Sequence, residues 1–339
     1  MPNIKDIAEL AGVSVATVSR TLKKPEVVRE ETRRVVMAAV AKLEYKPNAL
    51  ASGLRRQRSE TIIVVVPDIR NPFYSSIVQG IEHVAHSSGY KILLGESQNR
   101  QDRLDSYAGM LMSKEADGLI LLGSLLPTLV QESLAQGREV PIPLVMACEY
   151  FEGLEIPNVR IDNVGAAALA TTYLLDLGHA RIAKITGPMN NPLSKDRLKG
   201  YRSALRKAGL RALPDYVGHG DFSVDSGYRA MQALLALEEP PTAVFCSNDE
   251  MAIGALKAIK DQKLRVPRDI SIIGFDNIRF SEYSDPPLTT ISQPNTEIGR
   301  TAMRLMLDCF QGGIQSARTI VLPHELVVRA STARFRDKP

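Results

Sequence analysis

Cysteine is scarce in this chain. Cys148, Cys246 and Cys309 are odd in number and far apart, with no CxxC spacing. That excludes a disulfide framework and most zinc modules, and it suits a reducing cytoplasm. No apolar run approaches the roughly 18–20 residues of a membrane span, so no membrane partner is expected. The first twenty residues carry Lys5, Asp6, Glu9 and Arg20 without an apolar stretch, which argues against a secretory signal peptide. A P-loop, a GxGxxG turn after a strand and a GxSxG elbow are also missing. No catalytic residue, cofactor or metal is therefore expected. His83 and His86 stand at i, i+3 with no third ligand nearby, as a solvated helix face allows.

What is present is an ordinary soluble composition, 44% apolar and 24% charged over 339 residues, enough for two or three domains. The charge is unevenly spread. Residues 1–58 hold 12 Lys+Arg against 6 Asp+Glu, whereas the remaining 281 hold 30 against 32. A basic head on a nearly neutral body suggests that the head meets a polyanion.

Ile4, Ile7, Ala8 and Ala11 lie at helical spacing, Gly12 and Val13 interrupt, and Ser14 follows as a good N-cap. From Val15 to Leu22, Val18, Thr21 and Leu22 face inward while Val15, Ala16, Thr17 and Arg20 project outward. This describes a helix-turn-helix. A third helix, about 30–43, offers Val35, Val36, Ala39, Val40 and Leu43 to a small core. The second helix can enter a major groove, where Arg20 could pair with guanine for roughly 1–3 kcal/mol of discrimination.

From Thr61 onward strands and helices alternate. TIIVVVP, KILLGES and GLILLG form one series, and RIAKITG, TAVFCSN and ISIIGFD form a second. The alternation predicts parallel sheets covered by helices, in two lobes with a cleft between them. Ligands bind outside the carboxyl ends of such strands. There stand Asp68, Asn71, Phe73 and Tyr74, then Lys195, Asp196 and Arg197, Phe222, Asn248 with Asp249, Asp276 with Asn277, and Gln293. Aromatic faces with carboxylates, amides and one arginine suit a polyhydroxylated ligand.

The run IKDIAELAGVSVATVSRTLKKPEVVREETRRVVMAAVAKLEYKPNALASGL resembles the headpiece of the LacI/GalR family of bacterial transcription regulators, and the resemblance extends over residues 3–333. It implies an N-terminal all-α helix-turn-helix headpiece plus an α/β periplasmic-binding-protein-like core of two doubly wound lobes. The divisions are residues 1–46 (headpiece), 47–60 (hinge helix and linker) and 61–339 (core). Lobe one takes about 61–161 and 292–322, and lobe two about 162–291 and 323–333. Val15, Ala16 and Arg20 match base-reading positions, and Ser14, Thr17 and Ser19 match capping or phosphate-contacting ones. NALASGLR, with Asn48, Leu54 and Arg55, resembles a hinge that orders on DNA and wedges Leu54 into the minor groove.

The same resemblance assigns Phe73, Tyr74, Arg197, Phe222, Asn248 and Asp276 to effector contact, with Asp162 and Gln293 beside them. The expected partners are double-stranded operator DNA, a second copy of the chain and a small effector. Within the family, NPFYSSIVQGIE, NPLSKDRLKGY and PPTAVFCSNDEMAIGAL are most similar to nucleoside-responsive repressors, so a nucleoside comes first and a free pentose or hexose second. The sign of the effector's action is not legible. The alternative is an α/β enzyme or binding protein for a nucleoside or sugar, which would leave residues 1–58 without a role.

Overall fold

The computed structural model describes residues 2–45, 58–312 and 318–336. Chain contacts divide it after Ser59 into an N-terminal unit and a larger second unit. In the first, helix α1 (Ile4–Ala11) starts at Asn3. The Asn3 side chain accepts the Lys5 amide, and its own amide donates to the Asp6 carboxylate, each at 2.8 Å. The helix stops at Gly12, whose φ of +62° is a conformation that glycine takes without steric cost. Helix α2 (Val15–Lys23) follows, capped by Ser14, and α3 (Glu30–Lys42) closes the unit.

Ile7, Val18 and Val36 are wholly buried, with Ala8, Ala11 and Ala39 around them. Two expectations fail here. Val35 is 42% exposed beside Leu10, because successive helical side chains point about 100° apart and Val36 takes the inward direction. Val15 and Thr17, expected to project outward, are half-buried, Val15 against the small core.

The second unit holds two six-stranded sheets. The first draws on β1 (Thr61–Val66), β2 (Lys91–Glu96), β3 (Gly118–Leu121), β4 (Leu144–Ala147), β5 (Asn158–Ile161) and β11 (Thr319–Leu322), in the order β11-β5-β4-β3-β1-β2. Helices α4 (Pro72–Ser87), α5 (Gln101–Met112), α6 (Thr128–Ala135) and α12 (Asn295–Phe310) belong with it. The second sheet has β6 (Ile182–Thr186), β7 (Val217–His219), β8 (Ala243–Cys246), β9 (Ser271–Asp276), β10 (Thr289–Ser292) and β12 (Glu325–Val327), in the order β12-β10-β9-β8-β6-β7. It carries α7 (Asn163–Asp176), α8 (Pro192–Lys207), α9 (Val224–Leu235), α10 (Asp249–Asp261) and the short α11 (Arg279–Tyr283).

Every strand pair is parallel except β10 with β12. The exception follows from the route of the chain. Strand β10 leaves the second lobe at its carboxyl end, whereas β12 enters that lobe from the first, so the two must run in opposite directions. In the first sheet β5 and β11 both leave at their carboxyl ends and run parallel.

Ile63, Val65, Leu119 and Leu121 pack on one face of the first sheet, and Ile62, Val64 and Ile120 on the other. The latter cluster continues into the second lobe through Ala166, Tyr201, Phe245 and Phe275, so a single apolar body crosses between the lobes. Helices α7 and α8 touch at backbone distance: a Cβ on Gly200 would lie 2.2 Å from the Val164 carbonyl. Among the described residues no helix is long and apolar enough to cross a membrane.

The last described segment is tied to the second lobe by His179, which is buried. Its Nε2 lies 3.1 Å from the Ala333 carbonyl and its Nδ1 3.0 Å from the Thr242 hydroxyl. Burial pushes the imidazole below its ordinary value, the Ala333 carbonyl pulling weakly the other way. The unfolded chain therefore takes up this proton first, and the stabilisation falls away as pH drops below about 6.5. We expect amide exchange of residues 331–336 to quicken on going from neutral to mildly acidic buffer. The quickening should be smaller in His179→Gln. An equal acid response in the variant would remove His179 from this role.

Candidate functional site

The carboxyl ends of both sheets face the lobe junction, since the chain crosses there after β5, β10 and β11. The junction is anchored by Arg197, on α8 and 3% exposed. Its Nε donates to Asn163 Oδ1 at 2.9 Å, its Nη1 donates to the Ser247 carbonyl, and its plane lies 3.7 Å from the Phe275 ring centre. Nη2 stands 3.9 Å from Asp276 Oδ1, and that oxygen also accepts the Gln293 amide at 2.7 Å. One guanidinium thus gathers α7, β8 and β9 of one lobe, and through Asp276 it reaches Gln293 at the crossing.

The first lobe supplies Tyr74 and Glu149. Tyr74 meets Phe73 edge to face at 5.1 Å. Burial lifts its phenol well above the ordinary range, helped by the nearby Glu149 charge. Glu149, two residues after β4, is 3% exposed, and its Oε2 has no hydrogen-bond partner among the described residues. Burial pushes the Glu149 carboxyl up to about 7 against the pull of Arg197, and burial does the same to Asp276, also up to about 7. Two buried carboxyls and a single cation therefore meet at the junction, with both carboxyls raised towards neutral pH. Ser194 Oγ and Asn295 Oδ1 are likewise buried without a partner. Such groups are costly unless a hydrogen-bonding guest completes them.

The expected effector residues sort into three groups. Arg197, Asp276, Gln293 and Tyr74 are brought together, with Phe73 packed on Tyr74. Asn248 and Phe222 form a support: Asn248 accepts the Met251 amide as the N-cap of α10 and donates from Nδ2 to the Phe222 carbonyl at 2.9 Å. Phe222, at φ +73°, lays its ring against Gly187. Asp162 stands apart from the cluster, exposed and capping α7 through the Gly165 amide. Its neighbour Asn163 takes the contact with Arg197.

Sequence reasoning missed Glu149, Asn163 and Ser247. Glu149 was open to the same strand-end rule that found Asp276. It also missed a tie between the lobes: Tyr150 donates to Asp196 Oδ2 at 3.0 Å, with the Arg160 guanidinium 4.4 Å above the Tyr150 ring.

On the headpiece, Ser14 accepts the Thr17 amide at 3.1 Å, so it caps, as expected of a residue there. Ala16 and Arg20 are exposed, while Val15, Thr17 and Ser19 are half-buried. Arg20 is thus exposed on the outer face of α2. Asn48, Leu54 and Arg55 lie outside the described residues.

Comparison with known proteins gives the family of each part of the chain. Residues 3–48 match the family described as bacterial regulatory proteins, lacI family, and residues 171–332 match the periplasmic binding protein-like domain. The chain is 46% identical over 329 residues to the HTH-type transcriptional repressor CytR of Escherichia coli strain K12, covering 97% of this chain and 96% of that one. Among solved structures it is similar to the lac repressor dimer bound to operator and the anti-inducer ONPF, with TM-score 0.86 and 29% identity, over 98% of this chain and 99% of the other. The transcriptional regulator CelR–cellobiose complex is a further match, with TM-score 0.72 and 33% identity, over 98% of this chain and 100% of that one.

Removing a buried cation leaves its carboxylate partners uncompensated, at a cost of about 3–5 kcal/mol. Arg197→Ala should lower the urea midpoint accordingly, with most of the loss recovered in the double variant Arg197→Met, Asp276→Leu. A single variant as stable as the parent would show that the cluster contributes nothing to the junction.

Proposed function

The chain belongs to the LacI family of bacterial transcriptional regulators, and from that premise we propose that it is a repressor whose operator affinity is set by a nucleoside held between the lobes. The observation that carries this reading is the incomplete polar cluster at the junction. Arg197, Asp276 and Gln293 present fixed donors and acceptors, Glu149 brings an unpaired oxygen from the other lobe, and Tyr74 and Phe222 offer aromatic faces to a flat base. A guest satisfying both lobes favours one closure angle. It shifts the DNA-competent population only by its different affinity for the two angles. A free pentose or hexose is the second reading, favoured by the number of hydroxyl-matching groups.

On DNA, a homodimer places two copies of α2 in successive major grooves of a pseudo-palindrome. Arg20 reads a base edge there, and Ala16 is small enough to sit against a thymine methyl. Asn48, Leu54 and Arg55 are assigned to the hinge contact on the strength of the family pattern. Soluble, cytoplasmic action on the nucleoid follows from this role.

Two outcomes are expected. A thermal-shift screen of nucleosides, pentoses and hexoses should find a nucleoside that stabilises the protein. Because ligand hydroxyls favour the ionised carboxyls, affinity should rise between about pH 6 and about pH 8. Asp276→Asn should weaken binding and flatten that slope, whereas a pH-independent affinity in the parent would place the ligand elsewhere. In gel shifts Arg20→Ala should lose about 1–3 kcal/mol of operator discrimination while keeping weak salt-sensitive binding. Unchanged sequence preference would remove α2 from the reading role.

A further inference from the structure

Helix α8 has two working faces. Arg197, Tyr201 and Leu205 turn inward to the junction and the core. Lys195, Lys199, Arg202 and Arg206 stand at i, i+4, i+7 and i+11, all exposed, and line a cavity of about 390 Å³. Val164, from the first turn of α7, and Met189, from the loop before α8, give that cavity an apolar side.

The composition of the wall is one-sided. No carboxylate lines the cavity, and none of its four cations makes an ion pair with another described residue. The one acidic residue within this stretch of α8, Asp196, is engaged by the Tyr150 hydroxyl. Like charges three and four apart on a helix repel, so the stripe destabilises its own helix unless an anion answers it. The walls are also set in advance, because α7 and α8 meet at backbone distance beside Val164 and Gly200.

We propose that this groove is a second ligand site, separate from the cleft, for a phosphorylated metabolite of nucleotide size. The four cations meet the phosphate oxygens, with Arg202 and Arg206 able to form paired bonds. The side made by Val164 and Met189 receives the flat apolar part, and the volume lies within the range of small-molecule pockets. A bare inorganic anion would leave that side unused. The site also has a route to the cleft. Lys195 adjoins Asp196, the residue that Tyr150 holds across the lobes, and two positions further on stands Arg197. An occupant of the groove and a guest in the cleft therefore load opposite faces of a single helix, so each changes the affinity of the other by the same factor.

The test is calorimetric titration of the full-length protein with ADP, AMP, pyrophosphate and inorganic phosphate, and of the Lys199→Gln, Arg202→Gln double variant. Both substituted residues are exposed, so the variant keeps the buried face of α8 intact, and an unchanged melting temperature confirms it. Saturable binding is expected, tightest for ADP and weakest for inorganic phosphate. Affinity should fall as salt is raised from about 50 to about 500 mM. The double variant should bind ADP at least about tenfold more weakly, whereas Asp276→Ala should leave ADP binding nearly unchanged. That separates this site from the cleft, whichever effector the cleft takes. The proposal is overturned if the parent shows no saturable binding or if the double variant binds ADP as tightly as the parent. It is equally overturned if ADP is lost with Asp276→Ala instead. A double variant whose only defect is weaker salt-sensitive binding to non-operator DNA, or to an acidic protein, would reassign the stripe to a macromolecule.

Discussion

A guanidinium taken out of water has to be answered on every side, and that requirement organises the junction between the lobes. Arg197 is satisfied by an amide oxygen from the start of α7, a backbone carbonyl after β8, the face of Phe275 and, at longer range, the Asp276 carboxylate. These partners come from three separate parts of the second lobe, the start of α7, the end of β8 and the end of β9, so the lobe must be assembled before the charge is at rest. The site is nevertheless not closed on itself. Glu149 and Asp276 together bring more acid than one cation can hold ionised, and burial leaves both near the point of half-protonation. A site in this condition gains from any guest that brings donors.

Below the junction lies a second buried cation. Lys184, in the middle of β6, is fully buried, donates to the Ser247 hydroxyl at 2.6 Å and sits 3.8 Å from the Phe245 ring centre. Burial drives its ammonium well below the ordinary lysine range. Ser247 is thus held from both ends, its hydroxyl by Lys184 and its carbonyl by Arg197. Asp249, two residues later, accepts the Ile278 amide and the Thr290 hydroxyl and so fixes the turn that presents Asp276. Precision in the cleft is inherited from these buried contacts.

Much of this was legible in the sequence because it is local. Caps, helical spacing and strand alternation depend on neighbours a few residues apart, and they located the headpiece helices and β1, β2, β3, β6, β8 and β9. The strand-end rule reached Arg197 and Asp276 for the same reason. It passed over Glu149, since a lone acid after LVMAC has the same local signature as a turn residue. Asn248 shows the opposite difficulty: an amide at a strand end serves equally as cap or contact, and the distinction lies in Phe222, 26 residues away. The pairing of Tyr150 with Asp196 spans 46 residues and two lobes, and no spacing in the chain announces it. Lys184 was hidden by its type, for a lysine within a strand is ordinarily read as facing water.

The order of the strands carries a mechanical consequence. The three passages between lobes are made by β5 and β11, adjacent at one edge of the first sheet, and by β10 and β12, adjacent at one edge of the second. All the covalent ties therefore run along a single rim, like the spine of a book, and β2 and β7 occupy the free margins. Any swing of the two halves is smallest beside that spine and largest at the margins. A slight rotation at the spine is consequently magnified across the width of both sheets.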